Sequence, residues 1–247
     1  MNDAIIELRA VHKSFGRRTL FADLSLSVAR GETLTILGAS GGGKSVLLKT
    51  IIGLVEVDSG AVLIDGEDLV PLSEEARVPF RRRVSMLFQG GALFDSLTVA
   101  DNVAFPLRRQ HRGDETEIAA RVAEALAHVD LPDTGAMMPA ELSGGMKKRV
   151  ALARAIVTDP EVILYDEPTT GLDPMNTRRI DDLIRSVQRR LGVTSIVVTH
   201  DLPSAFLVSD RMAMLAGGRI DVIDAVEPFR RSRDLEIRSF LDAMVAA

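Results

Sequence analysis

Cysteine and tryptophan are missing from the sequence altogether, and tyrosine occurs once. Without a thiol the chain can form no disulfide and run no thiolate chemistry, which suits a reducing compartment. Aromatic residues make up 4% of the chain and include no tryptophan, which argues against an aromatic anchor at a bilayer surface. Positive charge is scarce too: 30 Lys plus Arg stand against 35 Asp plus Glu, a net charge of -5. That sign is wrong for general binding to phosphate backbones, so nucleic acid is not expected as a main partner. No apolar run approaches the ~20 residues that span a bilayer, which leaves membrane association to another protein or to the surface. The opening stretch, Met1 to Glu7, places acids where a secretory signal carries basic residues, and no export signal is expected.

What the sequence does hold is apolar residue enough, 46% of 247, for one large domain or a domain with an insertion. Short β-rich runs alternate with helical patterns, which predicts an α/β fold with a mostly parallel, helix-covered sheet. Strands are expected at Ile5 to Val11, Thr19 to Val28, Thr33 to Leu37, Ala61 to Ile64, Val84 to Leu87, Val162 to Tyr165, Ser195 to Thr199 and Met212 to Leu215. Asp65-Gly66 and Gly217-Gly218 are turn signals. From Gly90 to Leu142 no strand-like run occurs; Val99 to Leu107 and Thr116 to Val129 read as helices of an inserted subdomain. From Asp234 onward, Ile237, Phe240, Leu241, Met244 and Val245 share one helical face, which either packs on its own domain or docks on a partner.

Three segments carry chemistry. Gly38-Ala39-Ser40-Gly41-Gly42-Gly43-Lys44-Ser45 fits GxxxxGK[ST] between an apolar strand and an apolar helix, the context that motif requires. Its glycines let backbone N–H groups curl inward, and the helix start adds positive potential, so the loop seats phosphates. Lys44 would reach the β and γ phosphates of ATP, and Ser45 would ligate Mg²⁺. Secondly, Val162 to Tyr165 ends in two carboxylates, Asp166 and Glu167, at the sheet edge where open α/β folds bind ligands. Asp166 would hold Mg²⁺, and Glu167 could orient or deprotonate the attacking water. Alone, the pair reads equally well as a solvated strand end. Thirdly, Ser143, Gly144 and Gly145 open a helix that runs through Val157, where they either bind an anion or merely cap.

Taken together, Leu142-Ser143-Gly144-Gly145 and the phosphate loop resemble the ATP-binding cassette (ABC) ATPases, and the resemblance spans nearly the whole chain. It implies a P-loop NTPase core with an N-terminal antiparallel β part (1–89 and 143–225), a helical subdomain (90–142) and a helical tail (226–247). It further implies that Gln89 joins Mg²⁺ and water to a transmembrane subunit, that His200 contacts the γ phosphate, and that Asp173 lies in a loop linking two sites. Phe15 stands where the family stacks an aromatic ring on adenine. Gly38, Ser40, Gly41, Gly42, Gly43, Lys44, Ser45 and Val46 form the nucleotide seat; Val46 offers no hydroxyl where many cassettes place Thr. In that family each ATP is sandwiched between the phosphate loop of one copy and the Ser143 segment of the other.

Ser85 to Phe94, Val99 to Leu107 and Met146 after the two glycines are similar to the ATPase of Mla or Mce lipid transporters. That resemblance implies phospholipid or related cargo, transmembrane permease subunits, an Mce-type lipid-binding subunit and a STAS-domain regulator, at the cytoplasmic face of a bacterial inner membrane. Leu93 and Phe94 fall where such permeases insert a coupling helix, or else fill the helical subdomain's core. A small-solute importer or exporter, a non-transport cassette of translation or repair, and a non-hydrolysing regulator are the other readings; intact Glu167 and His200 weigh against the last.

Overall fold

The computed structural model describes residues 4–245. Two sheets form. The first, in the order β2-β1-β4-β5, is antiparallel and is built from β1 (Ala4–Phe15), β2 (Arg18–Ala29), β4 (Ser59–Ile64) and β5 (Glu67–Asp68). The second has the order β10-β9-β3-β8-β7-β6, from β3 (Thr33–Leu37), β6 (Val84–Leu87), β7 (Val162–Asp166), β8 (Thr194–Thr199), β9 (Arg211–Ala216) and β10 (Arg219–Ala225). All its neighbours pair in parallel except β10 and β9.

Every residue of β3, β7 and β8 is buried, because apolar layers cover both faces of this sheet. Alternate residues feed opposite layers. Ile163, Tyr165 and Val197 join the helical side, whereas Val162, Leu164, Ile196 and Val198 join a cluster with Phe21, Leu24 and Leu47 beneath the antiparallel sheet. A one-residue slip would swap the two sets, and each buried aliphatic side chain stabilises by about 1.5–3 kcal/mol, so register is firmly specified. Asp65-Gly66 and Gly217-Gly218 both have positive φ throughout, the twist that tight hairpins between β4 and β5 and between β9 and β10 require.

The helices are α1 (Lys44–Ile51), α2 (Glu74–Arg83), α3 (Val99–Arg109), α4 (Glu115–His128), α5 (Gly144–Ile156), α6 (Pro174–Leu191), α7 (Leu202–Val208), α8 (Val226–Arg230) and α9 (Leu235–Val245). Thr98 caps α3, and Asp114 with Glu117 forms a capping box on α4. Val103, Leu107, Ile118, Val122 and Leu126 bury against Val150 and its neighbours on α5. In α9, Ile237 and Leu241 pack with Leu37, Met212 and Phe229 of the same domain. Met244 and Val245, read onto that face, lie outside the described side chains, and residues 1–3 outside the described chain. Among the described residues no helix is long and apolar enough to cross a membrane.

One buried acid makes folding stability depend on pH. Burial pushes the Asp181 carboxyl up to about 6, against the hydrogen bond donated by the Ser204 hydroxyl at 2.9 Å; Oδ1 has no hydrogen-bond partner among the described residues. The folded chain then holds a proton that the unfolded chain releases from about pH 3.8 upward. Asp181's own contribution to stability therefore falls as pH rises from about 4 to about 6, by on the order of 2–3 kcal/mol. Carboxyls held low, such as Glu161 and Glu167, contribute in the opposite direction. Denaturation of wild type and Asp181→Asn across this range should show the wild type losing stability relative to the variant as pH rises from about 4 to about 6; a difference that does not change with pH would contradict the raised Asp181 carboxyl.

Candidate functional site

β8 lies between β3 and β7, so the carboxyl ends of all three strands meet at one edge. After β3 comes the phosphate loop, after β7 the pair Asp166 and Glu167, and after β8 His200. The loop requires its glycines. A Cβ at Gly38 would stand 2.7 Å from the Leu215 carbonyl, and one at Gly43, which has φ +100°, would meet Leu20 and Phe21 at 3.0–3.1 Å. Gly43 also caps α1 without any side-chain hydrogen bond, which leaves the helix start without a side-chain cap, as an anion seat demands.

Lys44 is buried and folded back over the loop: its Nζ donates to the carbonyls of Gly38 (2.8 Å) and Ala39 (3.2 Å) and lies 3.5 Å from Glu167 Oε1. The Ser45 hydroxyl donates to Asp166 Oδ1 at 2.7 Å. A hydroxyl and a carboxylate in contact are hard oxygen donors of the kind Mg²⁺ selects. Among the described residues no group of three or more His, Cys, Asp or Glu could hold a metal. The pair therefore fits an ion whose other ligands come from phosphate and water, as Mg²⁺ commonly has.

Glu167 has φ +49°, a position that non-glycine residues rarely occupy. Its Oε2 accepts from Thr170 Oγ1 (3.1 Å) and Thr199 Oγ1 (3.3 Å) and pairs with His200 Nδ1 (2.9 Å). Burial pushes this carboxyl upward, but the His200 hydrogen bond, the nearby His200 and Lys44 charges and Thr170 outweigh it and hold Glu167 below the ordinary range. An ionised carboxylate only accepts, so the hydrogen in the His200 contact belongs on Nδ1.

Gln89 follows β6. Extending the register Leu87↔Tyr165 places it opposite Glu167, and its carbonyl accepts from Lys148 Nζ. Phe15 ends β1 with 52% of its surface exposed, its ring 5.1 Å from Lys13 Nζ. Arg18, which begins β2, ties this turn to the phosphate loop by donating to the Gly41 carbonyl at 3.0 Å. Val46 packs partly buried against the sheet.

A second group assembles elsewhere. Ser143 caps α5, and a Cβ on Gly145 would stand 2.7 Å from Asn176 Oδ1, so a side chain there would displace the Asn176 amide from its place on α6. Asp173 caps α6 and holds that Asn176 through its N–H (3.0 Å) and Nδ2 (2.5 Å). Ser143, Gly144, Gly145 and Asp173 thus sit together, and no hydrogen bond among the described residues joins them to 38–45. Sequence reading missed Arg18 and Lys148; the latter lay in a run of three basic residues that looks solvated.

A phosphate loop on a central strand, with carboxylates and a histidine on neighbouring strand ends, defines a P-loop nucleotide-binding α/β protein. A family model described as ABC transporter matches residues 21–170. The chain is 40% identical over 237 residues, 96% of its length, to the probable ribonucleotide transport ATP-binding protein mkl of Mycobacterium tuberculosis. It is 42% identical over 219 residues to the spermidine/putrescine import ATP-binding protein PotA of Haemophilus influenzae, covering 89% of its own length. It spans 66% of mkl's length and 57% of PotA's. Its fold matches the dimeric post-hydrolysis ATP-binding cassette MJ0796 bound to ADP and Pi, with TM-score 0.82, 31% identity, 90% of this chain and 98% of that one. It also matches cbiO1 of Clostridium perfringens, part of the transporter complex cbiONQ, with TM-score 0.85, 29% identity and coverages of 97% and 95%. The chain belongs to the ABC transporter family, as an ATP-binding cassette.

Proposed function

We propose that this chain binds ATP with Mg²⁺ and hydrolyses it, in a pair of identical copies, to drive transport through a separate membrane permease. The carrying observation is the meeting of Lys44, Ser45, Asp166, Glu167 and His200 at one sheet edge. Lys44 and the α1 start, which has no side-chain cap, would hold phosphate; Ser45 and Asp166 would hold Mg²⁺, which would supply charge neutralisation for the phosphoryl group. Glu167, kept ionised, is an acceptor for the proton of attacking water, and His200 fixes its orientation. The Ser143–Gly145 group would complete the site of the second copy. ATP would then act as glue, and hydrolysis would remove the contact that favours closure.

The exposed aromatic pair supports a docking partner. Phe94 and Phe105, 43% and 41% exposed, meet in a tilted arrangement with centroids 4.7 Å apart and planes at 46°, and Arg154 lies over Phe94. Leu93 turns inward onto the helical cluster. Asn102, fully buried, holds this loop by donating to the carbonyls of Phe94, Leu97 and Thr98 and accepting from Phe94 N–H. An apolar pair, Phe94 on a rigid loop and Phe105 on α3, suits a permease's coupling helix. The double variant Phe94→Ala, Phe105→Ala should lose co-purification with the permease co-expressed from a neighbouring gene; full retention would contradict the assignment.

For cargo we favour phospholipid or related lipid moving between membranes, with an Mce-type subunit and a STAS-domain regulator, on the resemblance of 85–107 and Met146 to lipid-transport cassettes. A small-solute transporter is the second reading, favoured by the ribonucleotide and spermidine/putrescine names of mkl and PotA. Measuring ATPase stimulation of the purified complex by phospholipid, ribonucleotide and polyamine separates them; stimulation by a solute alone would replace the lipid reading.

A further inference from the structure

We propose that Lys148 is a positioning residue: its ammonium clamps the Gln89 loop to the Glu167 strand end, so that both enter the reaction as one rigid unit. The inference rests on the ATPase reading and extends it to a side chain outside the motifs.

Lys148 lies one turn into α5 and is 6% exposed, though Lys147 before it reaches solvent. Its Nζ donates to the Gln89 carbonyl and, at 3.3 Å, to the Glu167 carbonyl. These residues lie 78 positions apart in the chain, on the separate strand ends of β6 and β7, and no other hydrogen bond among the described residues links their backbones. No carboxylate lies within ion-pair distance of Lys148 among the described residues, so its buried charge is held by carbonyl dipoles and by the general field of Asp166 and Glu167. Burying an ammonium costs free energy that an apolar residue would not incur, so its place here calls for a task that only a multiple donor performs.

The same helix grips the loop a second time. Arg154 donates to the carbonyls of Gly91 (2.7 Å) and Ala92 (2.8 Å). Residues 89–92 are thus held by two cations of α5, and the first of them also holds Glu167. The Glu167 carbonyl belongs to the residue with φ +49°, so its side-chain direction depends on how that peptide is held. Without the clamp, Gln89 and Glu167 would each sample positions off the attack geometry, which costs turnover while phosphate binding through Lys44 persists.

The test is steady-state ATPase kinetics of the full chain as wild type, Lys148→Met and Lys148→Arg, with amide hydrogen exchange of residues 88–92. Lys148→Met keeps the length and removes the donors; Lys148→Arg restores them. We expect kcat of Lys148→Met to drop about tenfold or more with KM for ATP within about twofold, the pattern of an interaction needed for reaction and not for binding. Exchange at 89–92 should quicken while α5 stays protected, and Lys148→Arg should recover most of the kcat. Unchanged kcat in Lys148→Met overturns the proposal, as does a kcat loss without faster exchange at 89–92. Joint loss of kcat, ATP binding and melting temperature that Lys148→Arg does not recover also overturns it, because Lys148 would then only support the fold. An inactive wild type would overturn the functional reading itself and the proposal with it, whereas an active wild type with an equally active Lys148→Met overturns the proposal alone.

Discussion

Glu167→Gln should lower kcat for ATP hydrolysis by about 100-fold or more while ATP affinity stays within a few-fold of wild type. A positioned general base contributes roughly 10²–10⁴ in rate, and the amide has the same shape but cannot take a proton at neutral pH. The surroundings argue that Glu167 is meant to be charged: two threonine hydroxyls, the His200 ring and Lys44 all face its carboxyl. Removing that charge relieves burial and leaves Lys44 with the Gly38 and Ala39 carbonyls, so the loop keeps its form. If the account holds, this variant binds ATP and accumulates as a closed pair. Wild-type turnover in Glu167→Gln, measured as phosphate release, would remove Glu167 from the chemistry.

Lys44→Ala should weaken ATP binding by about 100-fold or more. Hydrogen bonds to charged groups contribute roughly 1.5–3 kcal/mol each, and two lost contacts to phosphate oxygens amount to two or more decades in affinity. The substitution also strips Glu167 of the cation 3.5 Å away, so one of the influences holding its carboxyl low disappears. Binding and turnover therefore fail together, unlike in Glu167→Gln, where turnover alone fails. Titration with a fluorescent ATP analogue checks this, and near wild-type affinity would move the phosphate site off the loop.

Much of this was legible in the sequence because the signals are local. The phosphate loop declares itself by glycines that no other residue could replace, at Gly38 and Gly43. The buried strands β3, β7 and β8 show as continuous apolar runs, and the turns at Asp65-Gly66 and Gly217-Gly218 by the residues that tolerate positive φ. Other elements were harder to see for equally physical reasons. The edge strand β10 alternates only over Arg219 to Val222, with a register shift between Ile220 and Ile223 that breaks the pattern, and β5 has two residues; neither sustains the apolar period that marks a strand. In α2, Pro79 and six charged residues of ten, four of them arginines, conceal the helix, although Arg77 is buried with its guanidinium on the carbonyls of Leu69 and Val70. Contacts remote in sequence left no trace at all: Arg18 on Gly41, Lys148 across Gln89 and Glu167, and the fit of Gly145 against Asn176 exist only once the chain is folded. Leu93 and Phe94 divide, one inward and one outward, which adjacent apolar residues in a loop do not disclose beforehand.

The central claim is that the phosphate loop of one copy and the Ser143 turn of another close on the same ATP. Because the sequence contains no cysteine, Ser40→Cys and Ser143→Cys introduce the only two thiols. In a Glu167→Gln background, a short bis-thiol crosslinker should join position 40 of one copy to position 143 of another when ATP and Mg²⁺ are present, giving a covalent dimer, and should fail without nucleotide. Protein that has ATP bound yet yields no crosslinked dimer would contradict the account.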